Sequence, residues 1–152
     1  MEIRFHIADS SKVEGIVKLC NKCFVEETSV EKALEVFNQT KNDKNQIYLI
    51  GECNGEIIAH TRITIIETMF IGMENYAIVN HVCVDPEYRK HHVATEMLKI
   101  IKKICLERNC ISIKLWSKNF RVPAHTCYKR FGFQPIDATF FELELGGSHE
   151  NN

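Results

Sequence analysis

Arg89 and Lys90 stand where a strand-like run empties onto a helix. Asn80-His81-Val82-Cys83-Val84 reads as strand, and Asp85-Pro86-Glu87-Tyr88 leaves it. Arg89-Lys90-His91-His92-Val93-Ala94 then makes the turn into an amphipathic helix predicted over residues 92–108. The first turn of a helix carries backbone N–H groups without intrahelical partners and the positive end of the helix dipole. Two cationic side chains add to that field. The chemistry these residues can do is to hold an anion, and the ligand expected is one carrying phosphate or pyrophosphate.

A second group lies downstream, in Ala124-His125-Thr126-Cys127-Tyr128-Lys129-Arg130-Phe131-Gly132-Phe133. Together the two stretches resemble the GNAT superfamily of N-acetyltransferases. The run Val-x-Val-Asp-Pro-Glu-Tyr-Arg, ending at Arg89, is similar to that family's acetyl-CoA-binding strand and turn. The family's turn reads Gln/Arg-x-x-Gly-x-Gly/Ala; here Arg89 fills the first position, Ala94 the last, and His92 replaces the middle glycine. The downstream stretch is similar to the family's Ala-His-x-x-Tyr-x-x-x-Gly-Phe element. Two motifs in the right order are far more specific than either alone.

The resemblance implies an acetyl-CoA-dependent N-acetyltransferase acting on a primary amine by direct attack, with no metal. It assigns the CoA diphosphate to the main chain of Arg89, Lys90, His91, His92, Val93, Ala94 and Thr95. It assigns the pantetheine arm to Val82, Cys83 and Val84, with Asn119 as a further contact. Tyr128 matches the family's general acid, which donates a proton as the thiolate departs. Many members place a carboxylate base on the fourth strand; the matching region here, Val79-Asn80-His81, has none. His81 is the first candidate, since histidine as a residue type titrates near neutral. Glu67, Glu26 and Glu27 remain alternatives. Period-two alternation sets Asn80 and His81 on opposite faces. The acceptor, a small molecule or peptide bearing an amine, would meet residues 24–29 and 69–76, where Glu26 and Glu27 favour a cation. The replaced glycine and missing carboxylate also fit an alternative, a degenerate domain that binds CoA weakly or acts as an interaction module without turnover. Dimers are common in the family, so a homodimer is compatible.

The elements that must position these residues follow from the pattern. Residues 3–7 alternate as a strand. Asp9 or Ser10 caps a helix with Val13, Ile16, Val17, Leu19 and Cys20 on its apolar face. A second helix is predicted over 31–39. Strands over 46–53 and 56–67 are joined by Asn54-Gly55, a strong hairpin signal. A turn at 72–75 leads to a strand over 76–84. After the long helix, Asn109 is a left-handed cap. A strand over 111–115, a helix over 122–131 and a last strand over 139–145 complete the domain, followed by a polar tail, 147–152. The order predicts an α+β fold: a mixed, mostly antiparallel sheet of six to seven strands with helices on both faces, one domain over 1–146.

Composition bounds the function. A formal net charge of -1 leaves no basic footprint, which argues against nucleic-acid binding. Lys99, Lys102 and Lys103 fit a solvated helix face. No signal-peptide core and no bilayer-length apolar run is present, so a cytoplasmic protein away from membranes is expected. The seven cysteines, an odd count without a secretory signal, read as small apolar residues. Cys20 and Cys23, the only Cys-x-x-Cys pair, lack the second pair a zinc ribbon needs.

Overall fold

The computed structural model describes residues 2–70 and 74–146. The five strands among them lie in the order β1 (Arg4–Ile7), β2 (Gln46–Cys53), β3 (Glu56–Ile66), β4 (Asn75–Val84) and β5 (Cys110–Lys114). The first four form antiparallel pairs and β5 joins β4 in parallel. The hairpin between β2 and β3 turns at Asn54 and Gly55, both at positive φ (52° and 80°), as the dipeptide requires. Asn109 caps the long helix at φ 61°.

Helices cover both faces. Helix α1 (Val13–Phe24) follows a short turn capped by Asp9, and α2 (Val30–Thr40) starts at Ser29, whose hydroxyl accepts from the Lys32 N–H. These two pack with Ile50 and Cys83. Helix α3 (Val93–Glu107) packs on the other face through Val93, Met97, Leu98, Ile101 and Cys105, against Leu49, Ile63, Val79 and Val84. Leu49 and Ile50, like Cys83 and Val84, are chain neighbours that fall into different clusters, because successive side chains point to opposite faces. The fourth helix-forming run gives α4 (Val122–Phe131), ended by Gly132 at φ 127°.

The sheet has five strands among the described residues, fewer than the six to seven expected. Residues 139–145 carry strand-like composition but join no ladder there. Strand formation needs a hydrogen-bonded neighbour as well as a suitable pattern, and this segment has no strand partner among the described residues. Of the expected turn at 72–75, residues 72 and 73 lie outside the described residues and Asn75 already opens β4; the polar tail 147–152 lies wholly outside them. Among the described residues no helix is long and apolar enough to cross a membrane.

Candidate active site

The site begins where β4 and β5 part. Their last recorded pair is Ile78 with Lys114, whereas β4 runs on to Val84. The stretch of β4 from Val79 onward therefore keeps β3 on one side and has no β5 partner on the other. Such an edge presents backbone N–H and C=O groups to an extended ligand.

A bulge shapes this edge. His60 pairs with Cys83 and Arg62 with Asn80, so Thr61 alone faces both His81 and Val82. His81 takes a left-handed conformation at φ 53°, and the Thr61 hydroxyl donates to the Asn80 carbonyl at 3.0 Å. The extra residue breaks the two-residue period. Asn80 and His81 are consequently both exposed, and the alternation expected to separate them fails here.

Helix α1 closes one side of the edge. The His81 ring meets Phe24 edge-on, and the Arg121 guanidinium lies 5.3 Å from the centre of the same Phe24 ring. Lys22 binds both oxygens of Asp85 at 3.0 Å, tying α1 to the exit of β4. Asp85 also accepts from the Glu87 N–H, so the Asp-Pro pair of the motif is an anchor. Cys20 Sγ lies 3.9 Å from Cys83 Sγ, and the Cys23 thiol donates to the Val84 carbonyl at 3.5 Å. The Cys-x-x-Cys pair thus backs the β4 edge and does more than fill the core. A thiol donated from Cys83 and the nearby Arg89 cation hold Cys23 at about 7, below the ordinary thiol value. Its neighbour Cys83 is pushed up by contact with Cys20 and Cys23 and by burial.

The turn beyond gathers exposed basic side chains and open backbone donors. Arg89, Lys90, His91 and His92 are exposed, while Val93 is buried under α3. Lys90 and His92 take left-handed conformations at φ 69° and 62°. The first intrahelical bond of α3 runs from Glu96 N–H to His92 C=O, leaving the Val93, Ala94 and Thr95 N–H groups at the open helix end. Fifteen residues of aligned peptide dipole stand behind them. These groups fit a diphosphate, although His91 also borders a groove with Glu2 to Phe5 on the β1 side of α3.

Tyr128 projects from α4 half-buried, its ring against Phe133 with centroids 5.7 Å apart. Burial raises its pKa, the Cys127 and Cys83 thiols add to that, and Arg121 opposes it. A phenol that keeps its proton and lies within electrostatic reach of Cys83 is suited to donate near the β4 edge. Asn119 is exposed in the turn before α4. Of the other base candidates, Glu67 lies past the Ile66–Tyr76 pair, roughly 20 Å along β4 from His81 at ordinary strand rise. There Asn45 donates to it at 2.7 Å and Lys44 lies at 3.7 Å. Glu26 accepts from the Thr28 hydroxyl at 3.3 Å in the loop after Phe24, beside exposed Glu27.

Lys22 had no role in the sequence reading, and Phe24 entered it only as the first residue of the acceptor segment 24–29. One local signal marks the region: of the six non-glycine residues at positive φ, Asn54 and Asn109 are ordinary turn asparagines, and Val25, His81, Lys90 and His92 surround the β4 edge. Backbone strain collects at functional sites. No group of three or more His, Cys, Asp or Glu among the described residues is placed to hold a metal.

A model of the Acetyltransferase (GNAT) family matches residues 13–133. Solved structures agree in fold. A transcriptional regulator from Bacillus halodurans C-125 superposes with a TM-score of 0.85 at 16% identity, over 95% of this chain and 100% of that one. Glucosamine-6-phosphate N-acetyltransferase from Arabidopsis thaliana gives 0.80 at 15%, over 94% and 99%. A predicted acetyltransferase from Clostridium acetobutylicum, solved with acetyl-CoA, gives 0.76 at 24%, over 95% and 97%. No curated protein matches the sequence.

Proposed function

Because this chain belongs to the acetyltransferase (GNAT) family, we propose that it transfers an acetyl group from acetyl-CoA to a primary amine on a small molecule or peptide. The observation that carries this reading is the parting of β4 from β5 after Ile78 and Lys114, beside the open N-terminus of α3. The turn from Arg89 to Thr95 holds the diphosphate through backbone N–H groups and the Arg89 charge. Val82 to Val84 orient the pantetheine arm along their free edge. Acetyl-CoA, when bound, supplies an activated thioester carbonyl. His81, exposed at the bulge, takes the proton that the attacking amine must lose. The Tyr128 phenol gives its proton to the leaving sulfur, and burial keeps that proton in place until it is needed.

The test is calorimetric titration with acetyl-CoA of the wild type, Arg89→Ala and Tyr128→Phe, with turnover measured over a panel of amines. Binding weakened by Arg89→Ala, together with Tyr128→Phe that binds normally and turns over more slowly, supports the proposal. One observation favours a second reading, a family domain that binds CoA weakly and works as an interaction module. His92 occupies a left-handed position at φ 62° that suits glycine. Weak binding with no acetylation of any amine selects that reading.

A further inference from the structure

Three thiols meet behind the β4 edge, and the proposed acetyl transfer uses none of their sulfurs. Cys83 comes from β4; Cys20 and Cys23 come from α1, three residues apart. Cys83 Sγ lies 3.9 Å from Cys20 Sγ and is hydrogen-bonded to the Cys23 thiol as well. All three are free thiols. A disulfide sets its sulfurs about 2 Å apart, so sulfurs already in contact are a short closure from a bond.

The three differ in what can reach them. Cys20 and Cys83 are 8% and 5% exposed, whereas Cys23 is only half-buried in the last turn of α1. Contact with Cys83 and the Arg89 cation favour the Cys23 thiolate, the form a peroxide oxidises. Cys83 keeps its proton, through its contacts with Cys20 and Cys23 and through burial. An open, thiolate-forming sulfur against a sheltered thiol is the pairing from which a sulfenic acid goes on to a disulfide. Cys105 and Cys110 also touch, but burial holds both as thiols.

We propose that Cys23 and Cys83 are a redox-modification site, at which a hydroperoxide oxidises Cys23 and Cys83 closes a disulfide between α1 and β4. The Cys23 thiolate attacks the terminal peroxide oxygen and the O–O bond breaks. Cys23 becomes a sulfenic acid, and the departing oxygen takes a proton from water. Cys83 sulfur then displaces the sulfenic hydroxyl, which leaves as water with the Cys83 proton. The two thiols lose two electrons and the peroxide gains them. Cys20 is the poorer resolving partner for Cys23. Residues three apart on a helix hold their Cβ atoms about 5 to 6 Å apart, wider than the roughly 3.5 to 4.5 Å of a disulfide. Lys22 and Phe24, the chain neighbours of Cys23, hold Asp85 and His81, so the bond falls between the contacts that tie α1 to the site. It forms whether or not that site takes acetyl-CoA.

The test treats the reduced full chain with equimolar hydrogen peroxide, blocks the remaining thiols with iodoacetamide and digests with trypsin without reductant. Cleavage after Lys22 puts Cys20 in peptide 19–22 and Cys23 in 23–32, while Cys83 falls in 63–89. Peptides 23–32 and 63–89 should appear joined, two hydrogens lighter than their sum, and separate on adding dithiothreitol. Adding the peroxide in urea should remove the preference for this pair. Cys83→Ala should leave a sulfenic acid on Cys23 that dimedone traps, and Cys23→Ser should give neither product, with circular dichroism checking the fold of each. Three results overturn the proposal: no joined pair in the wild type, a bond to Cys20 or between Cys105 and Cys110 in its place, or the same pair in equal yield from unfolded chains.

Discussion

The rings of Phe24 and His81 stand edge to face, with centroids 5.5 Å apart and planes at 89°. Phe24 also carries Arg121 over its ring, so one side chain joins the end of α1, the β4 bulge and the start of α4. Phe24→Ala frees His81 and Arg121 together while leaving both core clusters intact except at their margin. If His81 acts on the substrate, this loss of aim should lower kcat/KM by about 10- to 100-fold. Melting should shift by no more than a few degrees. Steady-state kinetics beside a thermal melt checks both.

His81→Gln keeps a polar side chain at the bulge and removes the proton acceptor. Under the proposed reaction it should lower kcat by roughly 100-fold or more, leaving the calorimetric affinity for acetyl-CoA unchanged. A base that lies elsewhere would leave kcat near the wild-type value.

His92→Gly should stabilise the protein. A non-glycine residue in the left-handed region costs about 1 to 2 kcal/mol, and the greater freedom glycine brings to the unfolded chain offsets part of that. A net gain of about 0.5 to 1 kcal/mol should appear as a higher urea midpoint at constant slope. Under the proposed cofactor placement, affinity for acetyl-CoA by calorimetry should rise too, since a Cβ here would crowd the approach of phosphate to the backbone.

The extent to which these positions could be read in advance depended on the range of the forces that set them. Asn54-Gly55, Asn109 and the Gly132 stop are local conformational demands, and each was legible from one or two residues. The α1 and α3 faces followed from helical period. The bulge at His81 was hidden because it arises from register between β3 and β4, which period-two reasoning assumes away. Phe24 looked like any apolar residue at a helix end; its role comes from crossing β4 some sixty residues later in the chain. The last strand was misplaced for the opposite reason. Its local pattern is sound, but among the described residues no strand of the sheet pairs with it.

His60 should give the fold a measurable acid sensitivity. It is buried, and its Nδ1 lies 2.9 Å from the Leu49 carbonyl, a geometry in which Nδ1–H donates to that oxygen. Burial lowers its pKa to about 4. The unfolded chain therefore takes up a proton near 6.5 that the folded one refuses until about 4, so stability falls as pH drops through that window. The slope for one such group approaches 1.4 kcal/mol per pH unit. Urea unfolding between pH 4 and 7 should show it. His60→Asn, whose amide can replace the donation to Leu49, should remove it.

Cys23 should be the first of the seven cysteines to react with a thiol reagent. It is half-buried at the end of α1, and the Cys83 thiol and the Arg89 guanidinium favour its thiolate, against burial and the nearby Asp85 carboxylate. Burial pushes Cys105 up to about 12 and raises Cys110 as well. Iodoacetamide labelling followed by peptide mapping should place the fastest adduct on Cys23, with a rate midpoint near pH 7. Arg89→Ala removes one source of that depression, so the midpoint should rise and labelling at pH 7 should slow. Acetyl-CoA should protect Cys23 in the wild type, because the Val84 carbonyl and Arg89 that surround the thiol belong to the proposed cofactor edge. Equal labelling with and without acetyl-CoA, in protein that calorimetry shows to be saturated, would place the cofactor away from this end of β4.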